Sequence, residues 1–570
     1  MPISGRYYSR TPGFPEDMVD LMVNYFLGFG FIFGYVLYSG RSCPLELCIR
    51  RFIGIHNRSY NPHNTTYLTC EFFQSMGALR QVFFVGHSGR HGTIHKIRDL
   101  THASAVNRKA SVRRVVLVNE MTKLTFYGGV NEIGGNKILV EDRKTRLFFD
   151  FGQSFTFGKE YFTGWLGPRS VNGLGDYFEF GLLPRIRGLY SREQLASTGF
   201  PYVEPEVEAV FLSHAHFDHT THIQFVDPKI PVYLGVGTKL FMESMEETSG
   251  FCKYGEHPCR KFRTKKKIKI DGVEVEPVHV DHSIPAAYGF IIHTSEGTVV
   301  YTGDLRMHGP RKDLTEDFME KAKECEPVAL ICEGTRMVEK EARKNYSEVQ
   351  VKELSDEIVS STDKMVFVTH YSRDMDRFRG FYKIAKKNNR QIVVSPKTAY
   401  LLGKLKADDR LDLPDPLKDD SILVYYKRKK SGRFDEKDYY AWERGFLPKM
   451  VTYEYVRKNQ KNLIMDLDFL QFTELVDIKP EPASHFIHSM SEPFSEEDVE
   501  DQIMHNWINH FKMHFHQLHA SGHMNRTQLE NLISYIQPKK VFPVHTENQQ
   551  LFKQHCENVQ TIEYAKQYTP

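Results

Sequence analysis

The sequence predicts an α/β fold for the chain from residue 121 onward. Apolar segments of strand length alternate there with segments of helical period, which is typical of α/β folds. The chain has 570 residues, of which 41% are hydrophobic, so it can bury a large core in more than one domain. In addition, several apolar segments are followed directly by His or Asp, where the loops of such a fold gather functional side chains.

The folded region is expected to begin at Met121. From there the sequence MTKLTFYGGVNEIGGNKILVEDRKTRLFFDFG has the pattern strand, glycine loop, strand, turn, strand. Further strands are predicted at Val207–Leu212, Lys267–Glu276, Ala287–Thr294, Thr298–Thr302 and Val328–Cys332. Residues 335–500 carry helical segments and the strands MVFV and QIVVS, so the α/β pattern continues.

Residues 1–120 have a different character. The run Leu21–Tyr38 is uncharged and just long enough to cross a membrane, although Asn24 and three glycines weaken it. Residues 39–115 show neither a helical nor a strand period. Two interpretations stay open for this leader: a genuine membrane-associated extension, or a start codon placed too far upstream. We favour the second, because the segment lacks the local consistency of a foldable sequence.

Charge and cysteine usage narrow the function classes. The net charge of +3, from 75 basic and 72 acidic residues, argues against binding of polyanions by the whole surface but allows a local basic groove. Basic runs at 265–267 and 427–430 could line a path for nucleic acid, and a solvated face is the favoured alternative. The eight cysteines form no tight even framework, which indicates reduced thiols and a cytoplasmic protein.

The strongest motif is His214-Ala-His216-Phe-Asp218-His219, directly after the predicted strand VEAVFL. Three imidazoles and one carboxylate lie within six residues, at a strand end from which a loop can turn all four inward. Neutral imidazole and carboxylate are ligands that suit zinc or manganese. This ordered set predicts a metal site.

One cluster cannot complete the coordination of two metal ions, so further ligands are expected downstream. His282 comes just after VEPVHV, Asp304 after TVVYTG, and His545 after KKVFPV. Each is a weak signal alone, because an Asp after a strand is usually a turn residue. Together with the first cluster they give seven candidate ligands.

These sequence motifs resemble those of the metallo-β-lactamase superfamily and, within it, those of the β-CASP ribonucleases of the ribonuclease J type. The opening phrase of that family is similar to GGVNEIGGN at Gly128–Asn136. The four superfamily motifs correspond, in order, to Asp150, to the set His214, His216, Asp218 and His219, to His282, and to Asp304. The β-CASP motifs correspond to Glu333 in LICEGT, His523 in HASGHMN and His545 in FPVHTE. The resemblance spans residues 121–565.

The resemblance implies a metallo-β-lactamase αββα sandwich with an inserted α/β β-CASP domain. Residues 121–335 and 506–570 would form the sandwich, and residues 336–505 the insertion. The implied form is archaeal-like, without the additional C-terminal domain of bacterial members.

The resemblance also implies roles for the motif residues. His214, His216 and His282 would hold one metal ion, and Asp218, His219 and His545 the second, with Asp304 bridging the two and Asp218 counted among the catalytic residues. His523 would give a proton to the leaving oxygen. Glu333 would orient His523, and Asp150 would fix the ligands through hydrogen bonds.

Two further features predict phosphate contacts. Ser521 and Gly522 precede His523, and the helical run NRTQLENLISYI follows, so a helix start there could seat a phosphate; a plain helix cap is the alternative. Arg373 and Arg377 follow the strand MVFVTH and could contact a terminal phosphate, with surface ion pairing as the alternative.

The function that the resemblance implies is hydrolysis of RNA phosphodiester bonds with two divalent metal ions. Zinc is favoured over manganese, and no organic cofactor is expected. Both 5′–3′ exonuclease and endonuclease action stay open, as does a homo-oligomer, and membrane association is expected only if the leader is genuine.

Three alternative functions fit less well. The DNA nucleases of the β-CASP group have Val in the position of His545. Small-molecule hydrolases of the superfamily lack the inserted domain. A non-catalytic scaffold would be expected to have lost metal-binding residue types at some ligand positions. In this chain every candidate ligand position has a His or an Asp.

Overall fold

The computed structural model describes residues 121–570 except Gly164, Phe251, Ala342, Asn345 and residues 493–498. The leader of residues 1–120, with its apolar run Leu21–Tyr38, lies outside the described residues. Within the described ranges, no helix combines the length and the apolar character that crossing a membrane requires.

The first part of the chain supplies most of two sheets. Its strands are β1 (Lys123–Phe126), β2 (Ile138–Asp142), β3 (Thr145–Phe149), β4 (Ala209–Phe211), β5 (Val232–Gly235), β6 (Cys259–Phe262), β7 (Ile268–Ile270), β8 (Val273–Val280), β9 (Ala287–Thr294), β10 (Gly297–Tyr301) and β11 (Ala329–Glu333). Its helices are α1 (Gly175–Glu179), α2 (Arg192–Leu195), α3 (Phe217–Thr220), α4 (Val236–Thr248) and α5 (Lys312–Glu324).

The middle part forms a third sheet with its own helices. Its strands are β12 (Val366–His370), β13 (Gln391–Val394), β14 (Ile422–Tyr425), β15 (Met450–Val451), β16 (Leu463–Asp466), β17 (His485–Ser489) and β18 (His514–Gln517). Its helices are α6 (Glu348–Ser360), α7 (Met375–Lys387), α8 (Pro396–Leu405), α9 (Ala441–Arg444), α10 (Tyr453–Lys458), α11 (Leu475–Ile478) and α12 (Val499–His510).

The end of the insertion differs from the expectation. The predicted boundary at residue 505 falls inside α12, and β18 still pairs in parallel with β17 of the third sheet. The segment HFHQ of β18 is exposed or half-buried and shows no apolar alternation, so its sequence gives no strand signal. Pairing with a buried neighbour strand, not the pattern of its own side chains, makes it a strand.

The last part of the chain returns to the first two sheets. It contains α13 (Arg526–Ile536), β19 (Val541–Val544), α14 (Gln549–Lys553) and β20 (Gln567–Tyr568). The first sheet has the order β20-β1-β2-β3-β4-β5-β6, and the second has the order β19-β11-β10-β9-β8-β7. The returning segment therefore adds one strand to each sheet.

The two sheets pack face to face around an apolar core. Phe149 and Phe211 of the first sheet meet Phe290 of the second, with ring centroids 5.3 and 5.9 Å apart. Helix α4 packs on the outer face of the first sheet, and α5 and α13 pack on that of the second. This arrangement is an αββα sandwich, as predicted.

The third sheet is parallel throughout, with the order β15-β14-β13-β16-β12-β17-β18. Apolar residues cover both of its faces, as is usual when helices pack on both sides of a parallel sheet. The fold class predicted from the sequence, a sandwich with an inserted α/β domain, is confirmed.

Candidate metal centre

The site lies at an edge of the sandwich where strands of both sheets end. In the first sheet β3 and β4 run parallel, and Asp150 and the segment His214–His219 follow their ends. In the second sheet β8, β10, β11 and β19 share one direction. The ends of these four strands carry His282, Asp304, Glu333 and His545. The topology thus brings together side chains that are far apart in sequence.

A short helix shapes the ligand-rich segment. Helix α3 begins immediately after His216, so Asp218 and His219 occupy its first turn. The loop after β3 packs tightly against it: a Cβ atom on Gly152 would lie 1.8 Å from the carbonyl oxygen of Asp218. Only glycine permits this approach, which keeps α3 against the sheet edge.

His214, His216 and His282 form the first group of candidate ligands. Nε2 of His214 lies 3.0 Å from Nδ1 of His216, and Nε2 of His282 lies 3.1 Å from that same Nδ1 atom. His214 and His282 are buried, and His216 is half-buried. Three converging imidazole nitrogens are a donor set that can hold one divalent metal ion.

Asp218, His219, Asp304 and His545 form the second group. Nε2 of His545 lies 3.1 Å from Oδ2 of Asp218, and Nε2 of His219 lies 3.0 Å from Oδ2 of Asp304. That Oδ2 atom of Asp304 is also 3.7 Å from Nε2 of His214, in the first group. Asp304 therefore faces both groups.

Four of the imidazoles are held from behind through their second ring nitrogen. The partner of Nδ1 is Ser213 Oγ at 2.9 Å for His214 and Asp150 Oδ2 at 2.8 Å for His219. It is the Gly522 carbonyl oxygen at 2.6 Å for His282 and Thr335 Oγ1 at 2.8 Å for His545. A carboxylate or a carbonyl can only accept, so Nδ1 of His219 and of His282 must donate. Their Nε2 atoms then keep a lone pair for a metal.

Gly522 brings the loop before α13 against the first group. A Cβ atom there would lie 2.7 Å from Oγ of Ser283 and 3.0 Å from Cε1 of His282. A larger residue would push the loop away and break the bond to His282. Glycine at this position thus sets the orientation of one ligand.

The residues fit a divalent cation. Asp218 and Asp304 are buried, and in the described part of the chain neither pairs with a lysine or arginine. The Oδ1 atom of Asp304 has no hydrogen-bond partner, which is costly for a buried carboxylate. Burial lowers the pKa of His214 and of His216 well below the usual range, and that of His282 to about 3. Neutral imidazole is the form that binds metals.

The second group attracts protons. Burial lowers the pKa of His545, but the charges of Asp304 and Asp218 outweigh that effect and raise it to about 9. The pKa of His219 is raised as well, against the effect of burial, by Asp304 and Asp150. A cation in this group would take the place of those protons.

His523 stands at the rim of the site beside Glu333. Its Nδ1 atom lies 3.0 Å from Oε1 of Glu333, and its side chain is 20% exposed while that of Glu333 is fully buried. Although burial raises the pKa of Glu333, the adjacent His523 lowers it. His523 also lies close enough to His282 and Asp304 for the three to form a metal-binding group. Distance alone therefore allows either a proton donor or a ligand at this position.

The helix after His523 is capped by Asn525 and not by Ser521. Helix α13 starts at Arg526 and is capped by Asn525 in a capping box. Ser521 instead accepts a hydrogen bond from the backbone N–H of His523 at 3.1 Å, within a turn. The reciprocal side-chain bonds of the capping box make Asn525 the better helix start. The interpretation of Ser521 as the helix cap is therefore wrong, and the phosphate contact of Ser521 and Gly522 stays a prediction.

The two arginines expected near a phosphate have different surroundings. Arg377 is buried and bonds Glu348 at 2.8 and 3.1 Å, so its charge is already compensated within the protein. Arg373 donates from its guanidinium to the carbonyl oxygen of Ala215 at 2.7 Å, between two ligands of the first group. A phosphate contact for Arg373 stays a prediction.

The basic runs are paired with acidic neighbours. Lys265 bonds Asp317 and Lys267 bonds Glu274, each at 2.8 Å. In the second run, Lys429 bonds Glu443 at 2.6 Å. These pairs favour the solvated-face interpretation over a nucleic-acid path.

A buried ionic network beside the ligands was not predicted. Arg306 is fully buried and contacts three carboxylates, Asp281 at 3.2 Å, Glu348 at 2.9 Å and Asp376 at 3.0 Å. With Arg377 these residues form what we call the Arg306 network. Asp281 precedes the ligand His282, while Glu348 and Asp376 belong to the insertion, so the network ties the insertion to the sandwich. The only indication of this network in the sequence is that the charged residue Arg306 lies two positions after Asp304.

Two family models match the segments that carry the site. Residues 189–338 match the beta-lactamase superfamily domain, and residues 510–565 match the Zn-dependent metallo-hydrolase RNA specificity domain. The two segments lie on either side of the insertion. Together they contain all seven candidate ligands, His523 and Glu333.

The chain is similar to several proteins named ribonuclease J. It is 24% identical over 352 residues to the one from Sinorhizobium meliloti, which covers 60% of this chain and 58% of that protein. It is 24% identical over 328 residues to one from Helicobacter pylori, covering 54% and 42%. A protein named ribonuclease J 2 from Streptococcus pyogenes is 23% identical over 449 residues, covering 75% and 70%. The chain thus matches about half the length of the first two relatives.

A solved structure shares the fold. It is described as a protein of unknown function from Enterococcus faecalis, and it is 25% identical with a TM-score of 0.63. The similarity covers 79% of this chain and 100% of that one.

Proposed function

Because the chain belongs to the metallo-β-lactamase superfamily, and within it to the β-CASP group of the ribonuclease J type, we propose that it is a metal-dependent ribonuclease. It hydrolyses phosphodiester bonds in RNA. The observation that supports this most directly is the convergence of seven His and Asp side chains in two groups, with Asp304 facing both. Two adjacent cation sites are what two-metal hydrolysis of a phosphodiester requires.

We propose two divalent ions, with zinc favoured because imidazole and carboxylate are its usual ligands. Manganese is the alternative, since it too accepts carboxylate oxygens. His214, His216 and His282 would hold one ion, and Asp218, His219 and His545 would hold the other, with Asp304 available to both. When bound, the ions lower the pKa of a water molecule for attack on phosphorus and offset the charge that develops on the phosphate.

The protein contributes orientation and low polarity around the ligands. Asp150, the Gly522 carbonyl and Thr335 fix the rings of His219, His282 and His545, respectively, through their Nδ1 atoms. Burial of these ligands keeps bulk water away, which strengthens electrostatic interactions with a phosphate. The ligand geometry is therefore set before substrate binds.

His523 delivers the proton that the leaving oxygen needs. It is partly exposed at the rim, so a substrate can reach it, whereas Glu333 is buried behind it. Glu333 accepts from Nδ1 of His523, so the proton given to the leaving oxygen is the one on Nε2, which the imidazolium form of His523 carries. Glu333 acts here through His523 and is a positioning residue.

RNA is the favoured substrate. The match of residues 510–565 to an RNA specificity domain supports it over DNA, and so does His545. Both 5′–3′ exonuclease and endonuclease action fit the site, and a homo-oligomer is compatible with it. We place the protein in the cytoplasm because its described cysteines are free thiols.

The test uses the full chain and end-labelled single-stranded RNA, with a DNA oligomer of the same sequence beside it. We expect cleavage of RNA that stops in chelator and returns when zinc or manganese is restored. The length of the first labelled product separates exonuclease from endonuclease action. Cleavage that persists in chelator or in His214→Ala would contradict the metal mechanism, and DNA cleavage at an equal or higher rate would contradict the RNA assignment.

A further inference from the structure

We propose that exposed aromatic side chains in a loop beside the metal centre stack the bases of single-stranded RNA. This aromatic loop comprises residues 155–180, with Gly164 outside the described residues. The proposal rests on the proposed ribonuclease function and concerns how that site holds its substrate.

Four aromatic side chains of the loop are exposed to solvent. The exposed fraction is 52% for Phe155, 41% for Tyr161, 101% for Trp165 and 42% for Phe180. Large apolar side chains are normally buried, and several exposed ones close together in the chain mark a binding surface. Trp165 is one of three tryptophans in the chain, and its side chain is fully exposed.

The backbone holds Trp165 at the tip of a turn. Thr163 and Leu166, on either side of it, exchange two backbone hydrogen bonds of 2.9 Å each. A second tight turn precedes it, in which the N–H of Phe162 donates to the carbonyl of Gly158 at 2.8 Å. The exposed rings are therefore presented by a hydrogen-bonded loop.

The inner side of the loop is anchored in the sandwich. Phe178 is only 4% exposed and belongs to the core. Phe157 packs on the buried His222 with ring centroids 4.7 Å apart, and Tyr177 packs on Phe225 at 5.2 Å. The loop thus has a buried aromatic side and an exposed aromatic side, which a purely structural loop does not need.

The loop is continuous with the metal centre. The ring of Phe155 meets that of Phe217 edge-on at 4.8 Å, and Phe217 lies between the ligands His216 and Asp218. Further along, Tyr161 stacks on Phe180 at 4.2 Å with an interplanar angle of 16°. A strand cleaved at the metal centre can therefore continue onto exposed aromatic faces of one loop.

The chemistry of the loop favours nucleic-acid bases over an apolar protein partner. The exposed polar residues Thr156, Lys159 and Glu160 lie between Phe155 and Tyr161 in the chain, so polar groups accompany the exposed rings there. Exposed aromatic faces beside polar and basic groups suit nucleic-acid bases, which stack on such faces without sequence preference. Lys159 is exposed and, in the described part of the chain, has no ion-pair partner, so it can meet a backbone phosphate.

The experiment compares Trp165→Ala and Tyr161→Ala with the unchanged full-length protein. Tyr535→Ala is the matched control, because Tyr535 is 38% exposed and lies on α13, at the outer face of the second sheet. Cleavage of oligouridylate and of a small diester without bases, bis(p-nitrophenyl) phosphate, is measured with each. Binding of labelled oligouridylate and of an abasic oligomer of equal length is measured in chelator by fluorescence anisotropy.

For each loop variant we expect KM for oligouridylate and the dissociation constant to rise about five- to a hundredfold, the range found when a stacking residue is replaced by alanine. The rate on the small diester and the binding of the abasic oligomer should not change, and the control should match the unchanged protein. Equal affinity of the loop variants for oligouridylate would overturn the proposal, as would an equal loss of affinity for the abasic oligomer.

The failure of the proposed function has a separate signature. If the unchanged protein cleaves neither RNA nor the small diester, the ribonuclease assignment fails, while the anisotropy measurement still decides whether the loop binds bases. A change from dimer to monomer in Trp165→Ala, with unaltered RNA binding, would show that the loop is a contact between copies and would overturn the stacking role.

Discussion

The metal centre and the Arg306 network lie side by side, and both bury carboxylates. In the network every carboxylate faces a guanidinium group: Arg306 binds Asp281, Glu348 and Asp376, and Arg377 binds Glu348 again. In the metal centre the carboxylates face only imidazoles, and one oxygen of Asp304 has no partner.

This difference separates a structural cluster from a binding site. The network contains its own cations, Arg306 and Arg377. Although burial raises the pKa of Glu348, these two arginines lower that pKa to about 2, so Glu348 stays charged at neutral pH. The metal centre contains no permanent cation among the described residues and takes up protons instead. Side chains that are ordered but not charge-compensated indicate that the compensating charge comes from outside the chain.

The largest expected effect is that of Asp304→Ala. Because Asp304 faces both groups, its loss should remove bound metal and lower RNA cleavage by at least about a thousandfold, equivalent to several kcal/mol of lost transition-state stabilisation. Elemental analysis and single-turnover rates measure both effects. Asp376→Asn, in the network, is the control and should keep its metal. Full metal content in Asp304→Ala would contradict the bridging role.

His523→Ala should slow cleavage by about 10²–10⁴-fold while leaving metal content unchanged, as expected for loss of general acid catalysis. Glu333→Ala should cause a milder loss, and the double variant should lose less than the two single losses combined, because the pair acts as a unit. His545→Ala should lose metal. Should His523→Ala lose a metal equivalent instead, His523 is a ligand in a group with His282 and Asp304.

Arg306→Met should act on stability. Removing one guanidinium leaves Asp281 buried without a cationic partner, whereas Asp376 keeps Arg379 and Glu348 keeps Arg377. Breaking a buried ion pair on one side typically costs about 3–5 kcal/mol of the free energy of unfolding. Urea unfolding followed by circular dichroism measures it. Arg311→Met is the control, because its ion pair with Asp313 is exposed and such pairs contribute at most about 1 kcal/mol. A loss of stability no larger than that of the control would show that the network is not a structural tie.

The smallest expected effect is that of Thr335→Val. It removes the partner of Nδ1 of His545, and loss of such a partner typically lowers metal affinity by about 10–100-fold. Cleavage should recover at saturating metal, and Thr335→Ser should behave like the unchanged protein. Metal titration of the three proteins checks this. Unaltered affinity in Thr335→Val would mean that packing alone orients His545.

The sequence predicts those site residues that can be recognised from their immediate neighbours in the chain. His214, His216, Asp218 and His219 are recognisable because a strand end places them together within six positions. His282, Asp304 and His545 could be added because each follows an apolar run. The α/β class follows from the alternation of strand-length apolar segments with helical segments, whereas the sandwich is what the family resemblance implies. The structure brings the buried faces of those strands together.

What the sequence does not predict depends on contacts between distant segments. Arg306 meets Glu348 and Asp376 only through the docking of the insertion, and no local pattern encodes that contact. Strand β18 forms by pairing with β17, although its own residues lack alternation. The sequence does not decide between Ser521 and Asn525 as the cap of α13, because both polar side chains have cap chemistry; in the structure the cap is Asn525.

The position of the insertion has a consequence for the order of assembly. Glu333 and His523 are 190 positions apart in sequence and hydrogen-bonded in the structure, and Asp218 and His545 are 327 apart. Contacts of such long range close late, because loop-closure entropy is lost before they form. A chain still being synthesised carries His214–His219 early but lacks His523 and His545 until the insertion has been made. We therefore expect the proposed ribonuclease activity to be absent from a nascent chain until the segment after the insertion has been synthesised.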